Sequence, residues 1–427
     1  MLQLAAMKAE RIAAAPRQGR DARRDALLEA AAAEFNAHGV SRASISRIAK
    51  AKDLTRAAVY YYVEGRDDLV FQAYRRSCEV TGADLAAAEA MPGDALARLE
   101  AFVRRTLDPD RPPIAVLGDI DYLTGEARTT ILAAQGANLE RLRAIIRAGV
   151  AARELRACDD EVVAQALIGM IAWIPQSAEW VEGADAGFRE RAVEALVDIL
   201  AHGEAADPAW TFTSPIDIAA FAPAAPDPFD RAAVAEAKVE RLLTIASQVF
   251  NRRGVDGASL DDVVAALGAT KGVLYHYLDN KTQLVVRCQE RANRLYDAFA
   301  EAADRLGATS LEKSTIGLHL LIQAQASGLA PLIQLVGHAA FPAPARRAMR
   351  RRNRAVQQRY EAFAELSRRD GVMRPIDFNA VSQVAAGAFE WLPKWFDPAD
   401  PRADSALAAE MVELFVHGLK QREGARP

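Results

Sequence analysis

The stretch that decides the fold is Phe250–Leu284, FNRRGVDGASLDDVVAALGATKGVLYHYLDNKTQL, because it is written twice. Phe35–Leu69, FNAHGVSRASISRIAKAKDLTRAAVYYYVEGRDDL, aligns with it without a gap, every pair 215 residues apart. Phe35, Asn36, Gly39, Val40, Ala43, Ser44, Ala51, Thr55, Tyr60, Tyr62 and Leu69 recur as Phe250, Asn251, Gly254, Val255, Ala258, Ser259, Ala266, Thr270, Tyr275, Tyr277 and Leu284. Ile45/Leu260, Ile48/Val263, Arg56/Lys271, Val59/Leu274 and Arg66/Lys281 change conservatively. One polypeptide therefore carries two copies of one domain.

The repeated stretch has its own local logic. Gly39 and Gly254 stop a longer amphipathic helix whose first copy carries Leu27, Leu28, Ala31 and Phe35 on one face. Ser44 and Ser259 are placed to cap a short helix, and Thr55 and Thr270 to cap a second one. Two short capped helices behind a longer one are the layout of a helix-turn-helix, whose second helix enters the major groove of DNA. In the first copy Arg56 sits in the first turn of that helix, where a guanidinium fork fits guanine. Thr55 can also touch a phosphate, Tyr60 and Tyr61 offer hydroxyls one turn on, and Val59 and Val63 face inward. Arg66 opens the next helix beside free backbone N–H groups, a phosphate seat. In the second copy these roles fall to Thr270, Lys271, Tyr275, His276 and Lys281, with Gly272 leaving room for close approach.

These residues resemble the TetR family of one-component transcription regulators. Ser259-Leu260-Asp261-Asp262-Val263-Val264 and Gly268-Ala269-Thr270-Lys271-Gly272-Val273-Leu274-Tyr275-His276-Tyr277 carry the resemblance most fully. The first copy departs at Asp53, where the family has Gly in the turn, and at Ala57, where the second copy has Gly272. The resemblance implies an all-α fold of two tandem units. Each would join a three-helix DNA-binding head to a helical ligand-binding and dimerisation body. It also implies that residues 160–203 and 378–421 form a dimer-like four-helix bundle within one chain.

The rest of the chain fits that plan. At 427 residues it is too long for one ordinary core, and Ala, Leu, Arg and Glu recur at helical spacing. The expected boundaries are a basic disordered arm at 1–22, a head at 23–82, a body at 83–204, a linker at 205–230, a second head at 231–297 and a second body at 298–423. The linker holds Pro208, Pro215, Pro223, Pro226 and Pro228, which reads as extended chain able to span roughly 80 Å. Downstream, Gly169, Trp173, Pro175, Arg156 and Asp159 recur 218 residues on as Gly387, Trp391, Pro393, Arg374 and Asp377.

The two copies differ in charge. Residues 42–66 carry Arg42, Arg47, Lys50, Lys52, Arg56 and Arg66 against Asp53 and Glu64, a balance of +4, whereas residues 257–281 come to −1. Phosphate neutralisation dominates DNA affinity, so the first head is expected to grip more strongly, aided by Lys8, Arg11, Arg17, Arg20, Arg23 and Arg24. Late in each copy Trp173, Trp180, Trp391 and Trp395 have two readings: core between the copies, or the wall of an apolar effector site. Arg346, Arg347, Arg350, Arg351, Arg352 and Arg354 read as a solvated helix face, with the phosphates of an acyl-CoA-like effector as the alternative.

No metal-ligand spacing, phosphate loop or nucleophile elbow appears, so no cofactor and no catalysis are expected. The three cysteines and the lack of a long apolar run favour a reduced cytoplasmic protein away from membranes. The expected partners are double-stranded DNA with an asymmetric or pseudo-palindromic operator and a small, hydrophobic or acyl-CoA-like effector that releases the chain, a repressor, from it. The chain would act as a monomeric pseudo-dimer or as a homodimer of tandem chains. An effector-independent DNA-architecture protein and a helical enzyme with an unrecognised site stand as rival classes.

Overall fold

The structure is a computed structural model that describes residues 17–177, 187–277, 279–332, 341–397 and 404–421. It is all-helical, and among the described residues no β-strand occurs beyond two isolated antiparallel bridges. The chain divides into two compact units. One comprises residues up to Ala87 with Asp108–Arg141, and the other Ala88–Leu107 with everything from Leu142 on.

In the first unit, helices α1 (Arg17–His38), α2 (Ile45–Ala51) and α3 (Arg56–Val59) lead into α4 (Arg66–Glu89). Leu27, Leu28, Ala31 and Phe35 of α1 are buried with Ile48, Val59, Val63 and Leu69 in one core. Helix α1 begins at Arg17, so residues 17–22 of the expected disordered arm are helical. Gly19 weakens a helix by only about 1 kcal/mol, which its Ala- and Arg-rich continuation offsets. Gly39 ends α1 at φ +74. Asp53 takes φ +53 in the turn between α2 and α3, the left-handed conformation that Gly268 supplies at φ +64 in the second copy.

The repeat identity with no role in DNA reading, Asn36, explains itself here. Its Nδ2 donates to the Ile114 carbonyl at 2.8 Å, and its Oδ1 accepts from Val116 N at 2.9 Å. The second-copy equivalent, Asn251, donates to the Pro331 carbonyl at 2.8 Å. Each head is thereby tied by one side-chain amide to its own body.

The second unit holds α5 (Ala95–Thr106), the C-terminal part of α6 (Gly125–Ala151), α7 (Asp160–Ser177) and α8 (Phe188–His202) of the first copy. The second copy follows as α9 (Arg231–Arg253), α10 (Leu260–Leu267), α11 (Lys271–Tyr277), α12 (Lys281–Leu306), α13 (Ser310–Ala326), α14 (Ala343–Asp370), α15 (Phe378–Glu390), α16 (Leu392–Trp395) and α17 (Asp404–His417).

Helices α7 and α8 pack on α15 and α17 as a four-helix assembly within one chain. Its closest approach is set by two glycines related by the repeat. A Cβ on Gly169 would lie 2.5 Å from the Gly387 carbonyl oxygen, and one on Gly387 would lie 2.6 Å from the Gly169 carbonyl oxygen. Two further glycines, Gly203 at φ +64 and Gly418 at φ +66, end α8 and α17. The chain that follows makes the same bonds twice. Arg156 N donates to the Leu419 carbonyl at 2.9 Å and Arg374 N to the Glu204 carbonyl at 2.8 Å. Leu419 N donates to Leu200 O and Glu204 N to Phe415 O, both at 2.8 Å. These exchanged contacts are the signature of an isologous, two-fold interface, here made by one chain with itself.

The linker does not run free of the second body. Phe212, Ile216, Ile218 and Phe221 pack against Phe299, Ile316 and Leu320 of the second body. Ile218 N also donates to Gln323 Oε1 at 3.0 Å. A short 3-10 turn, Ile218–Phe221, forms there. The prolines exclude a long helix, as expected, but the apolar residues between them find a surface to cover.

Candidate DNA interface and effector cavity

Both heads are built by their caps. Ser44 Oγ accepts from Arg47 N at 3.3 Å, and Thr55 Oγ1 accepts from Ala58 N at 3.2 Å, so the two hydroxyls start α2 and α3. In the second head Ser259 and Asp262 form a reciprocal capping box. Hydrogen bonds from Ser259 hold the Asp262 carboxyl below its ordinary pKa.

In the first head α3 presents an exposed surface. Thr55 and Arg56 are exposed, and Arg56 has no ion-pair partner among the described residues. Tyr60 and Tyr61 are 44% and 39% exposed, high for aromatic side chains, and Tyr61 stands edge-on to Tyr62. Val59 and Val63 are buried beneath them. Of the surrounding cations, Arg47 pairs with Glu34 and Lys52 with Glu29, at 2.5 and 3.6 Å. Lys50 is exposed.

In the second head Thr270, Lys271 and Gly272 are exposed. A Cβ on Gly272 would meet only Thr270 Oγ1, at 3.8 Å, so its face is open. Lys271 differs from Arg56 in one respect: its ammonium lies 2.8 Å from Asp261 of α10. His276 is exposed and stacks edge-on with Tyr277. The side chain of Tyr275 lies outside the described residues.

Arg66 and Lys281 have a structural task that spacing alone does not reveal. Arg66 donates to the Val40 carbonyl and, at 2.8 Å, to the Ser41 carbonyl. Lys281 Nζ donates at 3.4 Å to the carbonyl of Asp256, the repeat equivalent of Ser41. Each cation braces the loop between the first two helices of its head, so the phosphate contact expected of it would be made by a side chain already held.

The second body encloses a cavity of about 520 Å³ between α12, α13, α14 and α15. Phe299, Leu318, Phe363, Phe378 and Phe389 give it an apolar interior. Glu204, Gln289, Tyr296 and Glu390 are its buried polar groups. Arg352 reaches it from α14 and holds Asp297 with both guanidinium nitrogens, at 2.7 and 2.9 Å. Arg347, Arg350, Arg351 and Arg354 of the same run are exposed, the solvated face read from the sequence.

The tryptophans are placed elsewhere. Trp173 and Trp391 are 1% and 3% exposed and cross the α7–α15 contact. The Cβ of Trp173 lies 2.7 Å from where a Gly387 Cβ would be, and the Cβ of Trp391 lies 2.6 Å from that of Gly169. They fill the interface between copies, and the cavity lining comes from other residues. Trp395 is half-buried against Phe396, and Trp180 lies outside the described residues. A Gly–Trp spacing reads the same whether the indole packs on a helix or on a ligand, which is why sequence left both open. What the sequence reading missed is Glu204, Gln289, Tyr296 and Glu390. The available signal was polar residues on apolar helix faces.

Two capped short helices with an exposed cation and tyrosines, joined to a helical body, define a helix-turn-helix DNA-binding regulator. The model for "Bacterial regulatory proteins, tetR family" matches residues 27–73 and 242–288, and that for "Tetracyclin repressor-like, C-terminal domain" matches 92–180 and 315–419. Together these cover more than half of the chain, which belongs to the TetR family as a tandem member.

Solved structures similar to it include AibR in complex with isovaleryl coenzyme A and operator DNA, at 22% identity and a TM-score of 0.35. That match covers 42% of this chain and 97% of that one. PfmR from Thermus thermophilus is 23% identical at a TM-score of 0.34, covering 40% of this chain and 95% of its own. A TetR-family regulator from Bordetella parapertussis is 20% identical at 0.34, covering 41% and 92%. Comparison with curated proteins gave no match. Among the described residues no helix is long and apolar enough to cross a membrane, and no group of His, Cys, Asp and Glu is arranged to hold a metal.

Proposed function

We propose that this DNA-binding regulator is a cytoplasmic repressor that works as a one-chain pseudo-dimer and leaves its operator when a small effector fills the second body. The observation that carries this reading is the α7, α8, α15, α17 assembly with its duplicated hydrogen bonds. In this family the last two helices of two subunits make such a bundle. When one chain supplies both halves, the effective concentration of the second half is set by a linker rather than by protein concentration.

The proposed DNA contacts are Ser44, Thr55, Arg56, Tyr60, Tyr61 and Arg66 in the first head. In the second they are Ser259, Thr270, Lys271, Gly272, Tyr275, His276 and Lys281. Because Arg56/Lys271, Ala57/Gly272 and Tyr61/His276 differ, the operator is asymmetric. The Lys271–Asp261 pair supports unequal grip, since a neutralised cation releases fewer counterions from DNA. The effector acts by binding one arrangement of the body better than the other and shifting the population.

Selection of bound DNA from random sequence, with wild type, Arg56→Ala and Lys271→Ala, tests the reading. Each substitution is expected to relax a different half of the site. Loss of the same half in both variants would overturn the pseudo-dimer. Mass in solution, measured with and without operator, separates one chain from a pair of chains.

A further inference from the structure

The charged lining of the second body's cavity is of two kinds, exposed ion pairs and buried acids. Lys313 pairs with Asp304 at 3.3 Å, Arg352 with Asp297 at 2.7 Å, and Arg359 with both aspartates at 3.8 and 3.5 Å. Asp297, Asp304 and Arg359 are about half exposed, so water screens this ring. The buried charged side chains of the lining are acids. Glu204 is 4% exposed and Glu390 1%. The Ser314 hydroxyl donates to Glu204 at 2.8 Å, and the Tyr296 hydroxyl is hydrogen-bonded to Glu390. Gln289, 5% exposed, donates to Asn293 through Nε2 and leaves its Oε1 without a partner.

These acceptors are not scaffolding that the fold requires. At the repeat-equivalent positions the chain has Leu419 for Glu204, Ala172 for Glu390 and Tyr74 for Gln289. Leu419 and Tyr74 are completely buried. The same fold thus packs with apolar or aromatic side chains at those places, and only the second body's cavity carries the acids. A buried carboxylate is costly unless a cation reaches it, and a buried acceptor without a donor is costly on its own.

We propose that this cavity selects an amphipathic organic cation. Its amine or ammonium head would sit against Glu204, and its aromatic or aliphatic body among Phe299, Phe363 and Phe389. This rests on reading the cavity as the effector site. Glu204 belongs to the first copy, in the turn after α8, so such a ligand is held by both copies at once. Burial pushes the Glu204 carboxyl up to about 7, and an ammonium would supply the counter-charge that its surroundings lack. An anionic acyl-CoA-like effector fits this lining poorly, because the cavity's cations are already spent on Asp297 and Asp304.

The test uses the full chain and three probes with one body and different heads: pyrenebutylamine, pyrenebutanol and pyrenebutyrate. Binding is followed by pyrene fluorescence at mildly alkaline pH. The amine is expected to bind about tenfold or more tighter than the alcohol and the carboxylate. Glu204→Gln should remove most of that preference while leaving alcohol binding unchanged. Glu390→Gln, with its fold checked by circular dichroism, provides a second variant. Equal binding of the three probes, or a preference for the carboxylate, overturns the cation assignment and leaves the cavity as an effector site. Binding of none overturns the effector reading as well.

Discussion

The two copies share a fold and differ where a fold leaves residues free. In the first head Arg56 is exposed without an ion-pair partner among the described residues, whereas in the second Lys271 is paired with Asp261. In the first head the turn is made by Asp53 at φ +53, in the second by Gly268 at φ +64. At the end of each body's last helix the first copy has Glu204 and the second Leu419, both buried. Where the copies touch, Gly169 and Gly387 are the same residue, each facing the other's backbone. The pattern teaches that the interface keeps its symmetry because one contact serves both halves. The heads and the cavity have no such constraint and have diverged.

The largest effect should come from breaking the symmetric contact. Gly387→Val places a side chain where even a Cβ would lie 2.6 Å from a carbonyl oxygen. That atom is backbone and cannot rotate away, so a loss of about 3 kcal/mol or more is expected, read as a lower midpoint in denaturant. An unchanged midpoint would show that the two bodies do not pack through this glycine.

Glu204 comes next. Its carboxyl is raised to about 7 from an ordinary 4.5, by burial against the partial relief of the Ser314 hydrogen bond. A raised acid binds its proton more tightly when folded. Stability therefore falls as pH rises from about 4.5 to about 7 and stays low above that window. Glu204→Gln should remove a cost of about 3 kcal/mol above that window and change little below it. Thermal melting of both proteins across the window checks this, and a gain at acidic pH would contradict the burial argument.

For the heads, Arg56→Ala is expected to cost about 1–3 kcal/mol of operator binding, and Lys271→Ala less than half of that. Electrophoretic mobility shifts at two salt concentrations measure both. Asp261→Ala should then raise affinity severalfold by releasing Lys271. If Lys271→Ala proves the more damaging, the unequal-grip comparison fails. The smallest change is Asp53→Gly, which copies the second turn into the first. It relieves a left-handed Asp at the expense of chain entropy, so a net gain of at most about 1 kcal/mol is expected, seen in thermal melting.

Much of this was legible before any coordinates. The caps Ser44, Thr55 and Ser259, the glycine stops and the buried face Leu27, Leu28, Ala31 and Phe35 are local signals, and the structure uses them as read. Asn36, Arg66 and Lys281 were visible as repeat positions, but their partners are remote carbonyls that no local pattern marks. The packing of the linker was not legible because proline density reports backbone stiffness and not whether the apolar residues between prolines find a surface. The tryptophans stayed open between two readings because a large apolar side chain satisfies itself equally well against a helix or a ligand.

The sequence by itself determined that there are two heads, where their short helices begin, and which side chains stand on the second short helix of each. Those are decided within a few residues of one another, by caps, glycines and helical periodicity. Only the tertiary structure decided that Gly169 meets Gly387, that Arg156 and Arg374 exchange equivalent bonds, and that an acid of the first copy enters the cavity of the second. These pairings join residues roughly 100 to 260 positions apart. They exist because helices of the two copies can approach only where both lack a side chain, a condition set by geometry and written in neither copy alone.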